Sequence, residues 1–319
     1  MKFGVREICD VTFKTTADYQ KVGNTTFAKA GMPAFFIDTA TTSSLEQATT
    51  TVYAQGGRGY NRLIAWEGEK TMTFTIEDAL ISPMGLAVLS GAGLINADED
   101  NERHVHITLD KNVNSSGIVT VSLNDLLDEL GLSSTEFVEL DVCNTTDVPA
   151  YATVIDGSGA GVAFIPEVTL SGEESTKYEG AIKVDDTHNA SFQVDQKYAG
   201  KTIKLDFYVI MYSSVIEVTI APEDFGGYFY IEAQTLFRRE DTGKDMAAEI
   251  IIPKAKVQSG FTFTMASSGD PSTFTFTMDA FPAYTYFDRT KKVMCIMQVV
   301  GADNTSSSAT RVHDHKSKN

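Results

Sequence analysis

Alternation of polar and apolar positions with a period of two runs through both ends of the chain. Three segments share one pattern, Thr on one side and a large apolar residue on the other: Thr71-Met72-Thr73-Phe74-Thr75-Ile76, Phe261-Thr262-Phe263-Thr264-Met265 and Phe274-Thr275-Phe276-Thr277-Met278. Successive side chains of a strand point to opposite faces, so each segment predicts a strand with one core face and one hydroxyl face. The last two are separated by Ala266 to Thr273, with Gly269-Asp270-Pro271 inside, which predicts a hairpin with a long loop. Residues 9–14, 63–66, 202–212, 228–237 and 293–300 read as further strands because they are rich in β-branched and aromatic residues. One helix is expected in these flanks, over about 78–90, where Leu80, Met84, Ala87 and Val88 share a face. Gly91 supplies a C-terminal cap, and Ser82-Pro83 either opens the regular part of the helix or bends it. The flanks thus predict a β-sandwich or barrel with one packed helix.

Charge divides the chain where hydropathy does not. The 319 residues carry a formal net charge of −17, yet residues 98–200 alone hold 20 acidic against 5 basic groups. That block reads as an insertion between 1–97 and 201–300, which together form a discontinuous domain; 301–319 are polar and Ser-rich and read as a flexible tail. Short strands are expected inside the block at 105–109, 118–121, 138–142, 150–155, 162–170, 180–184 and 191–194, with a brief helix at 125–130 stopped by Gly131. Seven short strands in about a hundred residues is the spacing of an immunoglobulin-like sandwich, although the Cys-Trp-Cys signature is missing.

The acidic balance excludes a bulk cationic nucleic-acid binder, since gripping phosphate needs a Lys/Arg excess. Three cysteines exclude a disulfide scaffold. The run 79–95 is too short and interrupted to span a bilayer and reads as a buried helix, so no membrane insertion is expected. The opening residues hold no apolar signal core, so the chain is expected to stay where it is made. Asp98-x-Asp100-x-Glu102 opens like a calcium loop but has Arg103 where the turn needs glycine and Leu109 where a bidentate Glu should sit. His104 and His106 share a strand face without a third ligand at a usual spacing, and Gly157-x-Gly159-x-Gly161 reads as a turn rather than a dinucleotide fingerprint. No catalytic constellation can be assembled, so the expectation is a protein that is not an enzyme, with no cofactor and no metal. One loop stands out: Gly56, Gly57, Arg58, Gly59, Tyr60 and Arg62 combine permissive backbone with the side chains favoured at interface cores, and are read as a subunit interface, the alternative being an ordinary mobile hairpin loop.

The same loop belongs to a wider likeness. Asp10-Val11-Thr12-Phe13-Lys14, Thr42-Ser43-Ser44-Leu45-Glu46, Val52-Tyr53-Ala54-Gln55-Gly56-Gly57-Arg58-Gly59 and Ala65-Trp66-Glu67-Gly68-Glu69-Lys70-Thr71 stand in that order, followed by Glu77-Asp78-Ala79-Leu80-Ile81-Ser82-Pro83 and Leu89-Ser90-Gly91-Ala92. After the acidic block come Phe237-Arg238-Arg239, Gly243-Lys244-Asp245, Ile252-Pro253-Lys254-Ala255-Lys256-Val257, Ser268-Gly269-Asp270-Pro271-Ser272-Thr273-Phe274 and Met278-Asp279-Ala280-Phe281. Over about two thirds of its length the chain closely resembles the tail tube (major tail) proteins of tailed bacteriophages, similar in fold to the tube proteins of type VI secretion.

That resemblance implies a mainly β, two-sheet tail-tube fold with one flanking helix, interrupted here by the Ig-like insertion. It implies hexameric rings that stack helically into a tube for genome ejection, and a virion protein made in the bacterial host cytoplasm. The partners implied are other copies of the chain, sheath, tape-measure, baseplate and tail-terminator proteins, and DNA that passes without specific binding. The insertion is expected on the outer wall. Thr71, Thr73, Thr75, Thr262, Thr264, Thr275 and Thr277 are the candidate lumen wall, where neutral hydroxyls give DNA little to adhere to. The competing reading is a virion host-surface or carbohydrate-binding module, which would display exposed aromatic residues on the acidic block; Phe137, Tyr151, Phe164, Tyr178, Phe192 and Tyr198 are spaced mostly as core positions.

Overall fold

The computed structural model describes residues 2–5, 7–56, 58, 60–133, 139–262 and 273–301. The chain divides into two compact units, Met1–Ile95 with Val218–Asn319, and Asn96–Glu217.

The first run of the chain is nearly all strand: β1 (Phe3–Val5), β2 (Asp10–Thr15), β3 (Gln20–Val22), β4 (Thr25–Phe27), β5 (Pro33–Ile37), β6 (Ala40–Gly56) and β7 (Asn61–Asp78). In β2 the period-two rule is literal, with Val11, Phe13 and Thr15 buried and the residues between them not. Helix α1 (Pro83–Ser90) follows, then β8 (Gly93–Asn96). The helix is shorter than its apolar spacing predicts. Asp78 is the last residue of β7, and its carboxylate accepts from Thr39 Oγ1 at 2.6 Å and from the Leu80 amide at 3.2 Å, which fixes the chain as a turn. Ser82 then caps the helix by accepting from the Gly85 amide, with Pro83 as first residue. Leu80 is 66% exposed and lies outside the helix whose core face it was expected to share.

The middle unit holds β9 (Arg103–Asn112), β10 (Ile118–Val121), α2 (Leu123–Leu130), β11 (Glu139–Cys143), β12 (Tyr151–Ile155), β13 (Gly161–Ile165), β14 (Thr169–Ser171), β15 (Glu173–Glu174), β16 (Ala181–Asp185), β17 (Ala190–Gln193) and β18 (Thr202–Met211). Seven of these strands form one sheet, β13-β12-β18-β11-β16-β15 with β9 also on β18, and β10-β17-β14 form another. The two sheets share a core in which Phe192 of β17 meets Phe207 of β18 at 5.0 Å between ring centroids. Ser122 and Asp125 cap α2 reciprocally and Gly131 ends it in the left-handed region.

Two expectations change here. Residues 162–170 are two strands in different sheets, because Pro166 can neither donate to a ladder nor leave its fixed φ. Residues 201–217, placed by charge with the C-terminal flank, belong to the middle unit, since β18 pairs along its whole length with β9. Residues 134–138, which include Phe137 and the start of the strand expected at 138–142, lie outside the described residues.

The return run comprises β19 (Ile216–Thr219), paired with β8, then β20 (Tyr228–Arg239), β21 (Asp245–Val257), β22 (Phe274–Ala280) and β23 (Ile296–Val299). With the first run it completes a nine-stranded antiparallel sheet in the order β5-β2-β20-β21-β22-β7-β6, β1 joining β20 and β23 joining β21. In a flat sheet β2 and β22, three strand spacings apart, would be separated by about 14 Å. Phe13 of β2 and Phe276 of β22 nevertheless lie 6.4 Å apart, and Phe35 of β5 lies 6.1 Å from Phe276. The sheet therefore curls until its two halves face each other across one aromatic core, helped by register shifts near Phe229 and Phe13. Val88 and Leu89 of α1 join that core. Phe261 and Thr262 lie outside any strand; Phe263, Thr264 and Met265, the rest of the expected hairpin arm, and the tail from 302 onward lie outside the described residues.

Candidate assembly surface

The curled sheet ends on β6, whose outer edge no described strand covers, and on β5 at the other side. Strand β22 meets β7 only from Thr73 to Asp78, so from Asn61 to Met72 β7 has β6 as its sole strand partner among the described residues. Residues 48–72 thus run on as a two-stranded arm. Every residue of β7 from Asn61 to Thr71 is exposed. Val52 pairs with Trp66 and Ala54 with Ile64, positions two apart on each strand, so one side of the arm carries an apolar ridge in which Trp66 is 53% exposed. A bare two-stranded ribbon is marginal in water.

The predicted interface residues sit at the tip of this arm. Gly56 pairs with Asn61 to close it. Arg58 and Tyr60 are exposed in the turn, Tyr60 with φ 52° in the left-handed region. Arg62 lays its guanidinium over the Tyr53 ring, 4.1 Å from the centroid, an exposed cation–π contact that stiffens the base of the tip. Gly57 and Gly59 lie outside the described residues.

The candidate lumen residues are partly brought together. Thr75 and Thr277 are directly opposite, flanked by Ser44 of β6. One row along lie Glu46, Thr73 and Asp279 with Lys256, and on the other side Thr42, Glu77 and Thr275. These positions share the face opposite the buried Phe74, Ile76, Phe276 and Met278. Thr42 Oγ1 donates to Glu77 at 3.0 Å and Thr73 Oγ1 to Asp279 at 3.4 Å. The face therefore carries hydroxyls and carboxylates with Lys256 beside Asp279; Glu46, Glu77 and Asp279 continue the same alternation in sequence and were missed. Thr71 lies on the arm opposite Ala48, Thr262 is exposed outside any strand, and Thr264 is not among the described residues.

The other sequence candidates resolve into local structure. The Asp98 carboxylate accepts from the Asp100 amide and the Asn101 side chain, which makes the acidic run a turn and holds Asp98 below the usual carboxylate range. Asp156 accepts from the Ser158 and Ala160 amides in the glycine-rich turn between β12 and β13. His106 pairs with Asp206 at 2.9 Å, and His104 packs edge-on against Tyr178. Among the described residues no three His, Cys, Asp or Glu side chains are grouped to hold a metal. Burial pushes the Cys295 thiol up to about 11 and raises that of Cys9, away from the thiolate form.

Among the described residues the curled sheet thus has an uncovered edge at β6 and an exposed two-stranded arm with an apolar ridge. The chain belongs to the YomU/Tube protein family, whose model matches residues 19–136 and 153–294. That membership agrees with the likeness to phage tail tube proteins and with a structural component of the virion tail. The match also runs through most of Asn96–Glu217, so the acidic middle unit is part of the family pattern. No curated protein matches the chain. No described helix is long and apolar enough to cross a membrane.

Proposed function

We propose that this chain is the building block of a phage tail tube, in which six copies close a ring and rings stack into the conduit for genome ejection. The observation that carries this reading is the arm of residues 48–72, on which Asn61–Thr71 are all exposed and Val52, Ile64 and Trp66 form an apolar ridge. Contact between that arm and a second copy buries the ridge and covers the free edge of β6. A head-to-tail contact that closes by rotation gives a ring, and stacked rings give a filament. The sixfold number comes from the likeness to tail tube proteins.

In such a tube the hydroxyl and carboxylate face of β6, β7 and β22 lines the bore. Glu46, Glu77 and Asp279 repel the phosphates of passing DNA, and the hydroxyls keep the wall hydrated without gripping bases. The middle unit, read as Ig-like, sits on the outer wall, and the tail-end and sheath proteins are partners of the assembled tube. The protein works as a structural element without cofactor. Negative-stain microscopy of the purified chain tests the reading: rings or tubes of uniform diameter are expected, and a persistent monomer at high concentration overturns it.

A further inference from the structure

The outer face of the seven-stranded sheet in the middle unit is unusually aromatic. Inward positions such as Ile107, Leu205, Phe207 and Ala152 are buried in the core. Tyr151 and Phe164, on the outward side, are 48% and 59% exposed, with their ring centroids 6.1 Å apart and inclined by 45°. Across the sheet Tyr151 is opposite Asp206, and Tyr208 is opposite His106. His106 lies 2.9 Å from Asp206 and 5.3 Å, ring to ring, from Tyr208. The segment 147–149 stands beside these residues as a wall, making a cleft of about 610 Å³ with Tyr151, Asp206 and Tyr208 in its lining. Tyr151 thus lines the cleft, with Phe164 beside it but outside the lining, and the carboxylates of Asp147 and Asp206, the imidazoles of His104 and His106 and the Tyr208 phenol complete it.

We infer that this cleft and its aromatic rim bind neutral pyranose chains. A pyranose ring has an apolar C–H face and a rim of hydroxyls. The C–H face stacks on a solvent-open aromatic ring, which Tyr151 and Phe164 supply side by side. The rim needs acceptors and donors within the same reach: the Asp206 carboxylate accepts only, while His106 and the Tyr208 hydroxyl can donate or accept. The charge of the unit selects among ligands. With 20 acidic and 5 basic groups over 98–200, phosphate-rich or sulfated chains are repelled, and the carboxylate within the patch disfavours a purely apolar peptide. Neutral sugars pay neither penalty. The inference stands independently of the tube reading, because it concerns only the middle unit's own face.

The full-length protein, applied to an immobilised panel of neutral glucan, galactan and N-acetylglucosamine oligosaccharides with sulfated and sialylated chains alongside, gives the test. Retention on at least one neutral member and none on the anionic ones is expected. Titration calorimetry should then show Tyr151→Ala and Phe164→Ala each weakening that binding by about tenfold or more, with Phe164→Tyr, which keeps the ring, binding like the parent. Asp206→Asn should weaken it while leaving the far-ultraviolet circular dichroism unchanged. Absence of retention on every neutral oligosaccharide, a preference for the anionic chains, or full binding by folded Tyr151→Ala overturns the inference.

Discussion

Asp185 carries more structure than its place at the end of β16 suggests. Its Oδ1 accepts from the Thr187 amide, the Thr187 hydroxyl and the His188 amide, each at 2.8 Å, and Oδ2 lies 3.1 Å from Lys183 Nζ. Burial alone pushes its pKa up, but these hydrogen bonds outweigh burial and hold it far below the ordinary carboxylate range. A carboxyl with a depressed folded pKa stabilises the fold at pH values above its unfolded pKa of about 3.9, and that contribution is lost as pH falls below it. The melting temperature of the middle unit is therefore expected to drop between about pH 5 and pH 2.5, and Asp185→Asn should flatten that slope relative to the parent. Paired thermal melts across the range check it. The other acidic groups titrate in both proteins, so the difference between the two slopes is the readout. Nothing in the sequence around Asp185-Asp186-Thr187-His188 distinguishes this carboxylate from its neighbour; only the turn geometry does.

Helix α1 shows how a short element is fixed from both ends. Gly91 ends it at φ 76°, and a Cβ built there would lie 2.3 Å from the carbonyl carbon and oxygen of Phe225. Gly91→Ala meets both a left-handed backbone and a rigid neighbour, so a loss of about 1–3 kcal/mol is expected. Scanning calorimetry should show the transition of the sheet unit shifted down and that of Asn96–Glu217 unmoved. Ser122→Ala is the smaller counterpart in the middle unit, costing about 1 kcal/mol through the lost cap of α2. Gly91 and Gly131 were both readable as helix stops, and most strands were readable from β-branched and aromatic alternation. The misreadings share a cause, which is that pairing is not written in local composition. Leu80 has helical spacing, yet Asp78 is committed to β7 and turns the chain before the helix begins. Thr202–Met211 is as nearly neutral as the C-terminal flank, yet its ten residues find their register on β9. Tyr151 and Phe164 alternate like core residues because period two gives two faces and cannot say which is solvated.

For the whole molecule the decisive question is whether the exposed arm is a partner-binding element or simply a long hairpin. Its exposure separates assembly from folding in a way that core residues do not allow. Trp66 and Val52 face each other across the arm, well beyond the last residue of β7 that meets β22, so changing them removes no contact from the aromatic core. Trp66→Asp places a charge on a ridge that must be desolvated when a second copy covers it, a cost of several kcal/mol at an interface but little on a free surface. Sedimentation velocity should then show the variant as small species where the parent forms rings or tubes, with melting temperatures within a degree or two of each other for the unassembled proteins. Arg58→Ala is expected to act in the same direction from the tip. Arg62→Ala should also impair assembly, with a slight loss of arm order because the Tyr53 ring loses its cation. If Trp66→Asp polymerises like the parent, the arm is not where copies meet, and the free edge of β6 alone would have to carry the ring.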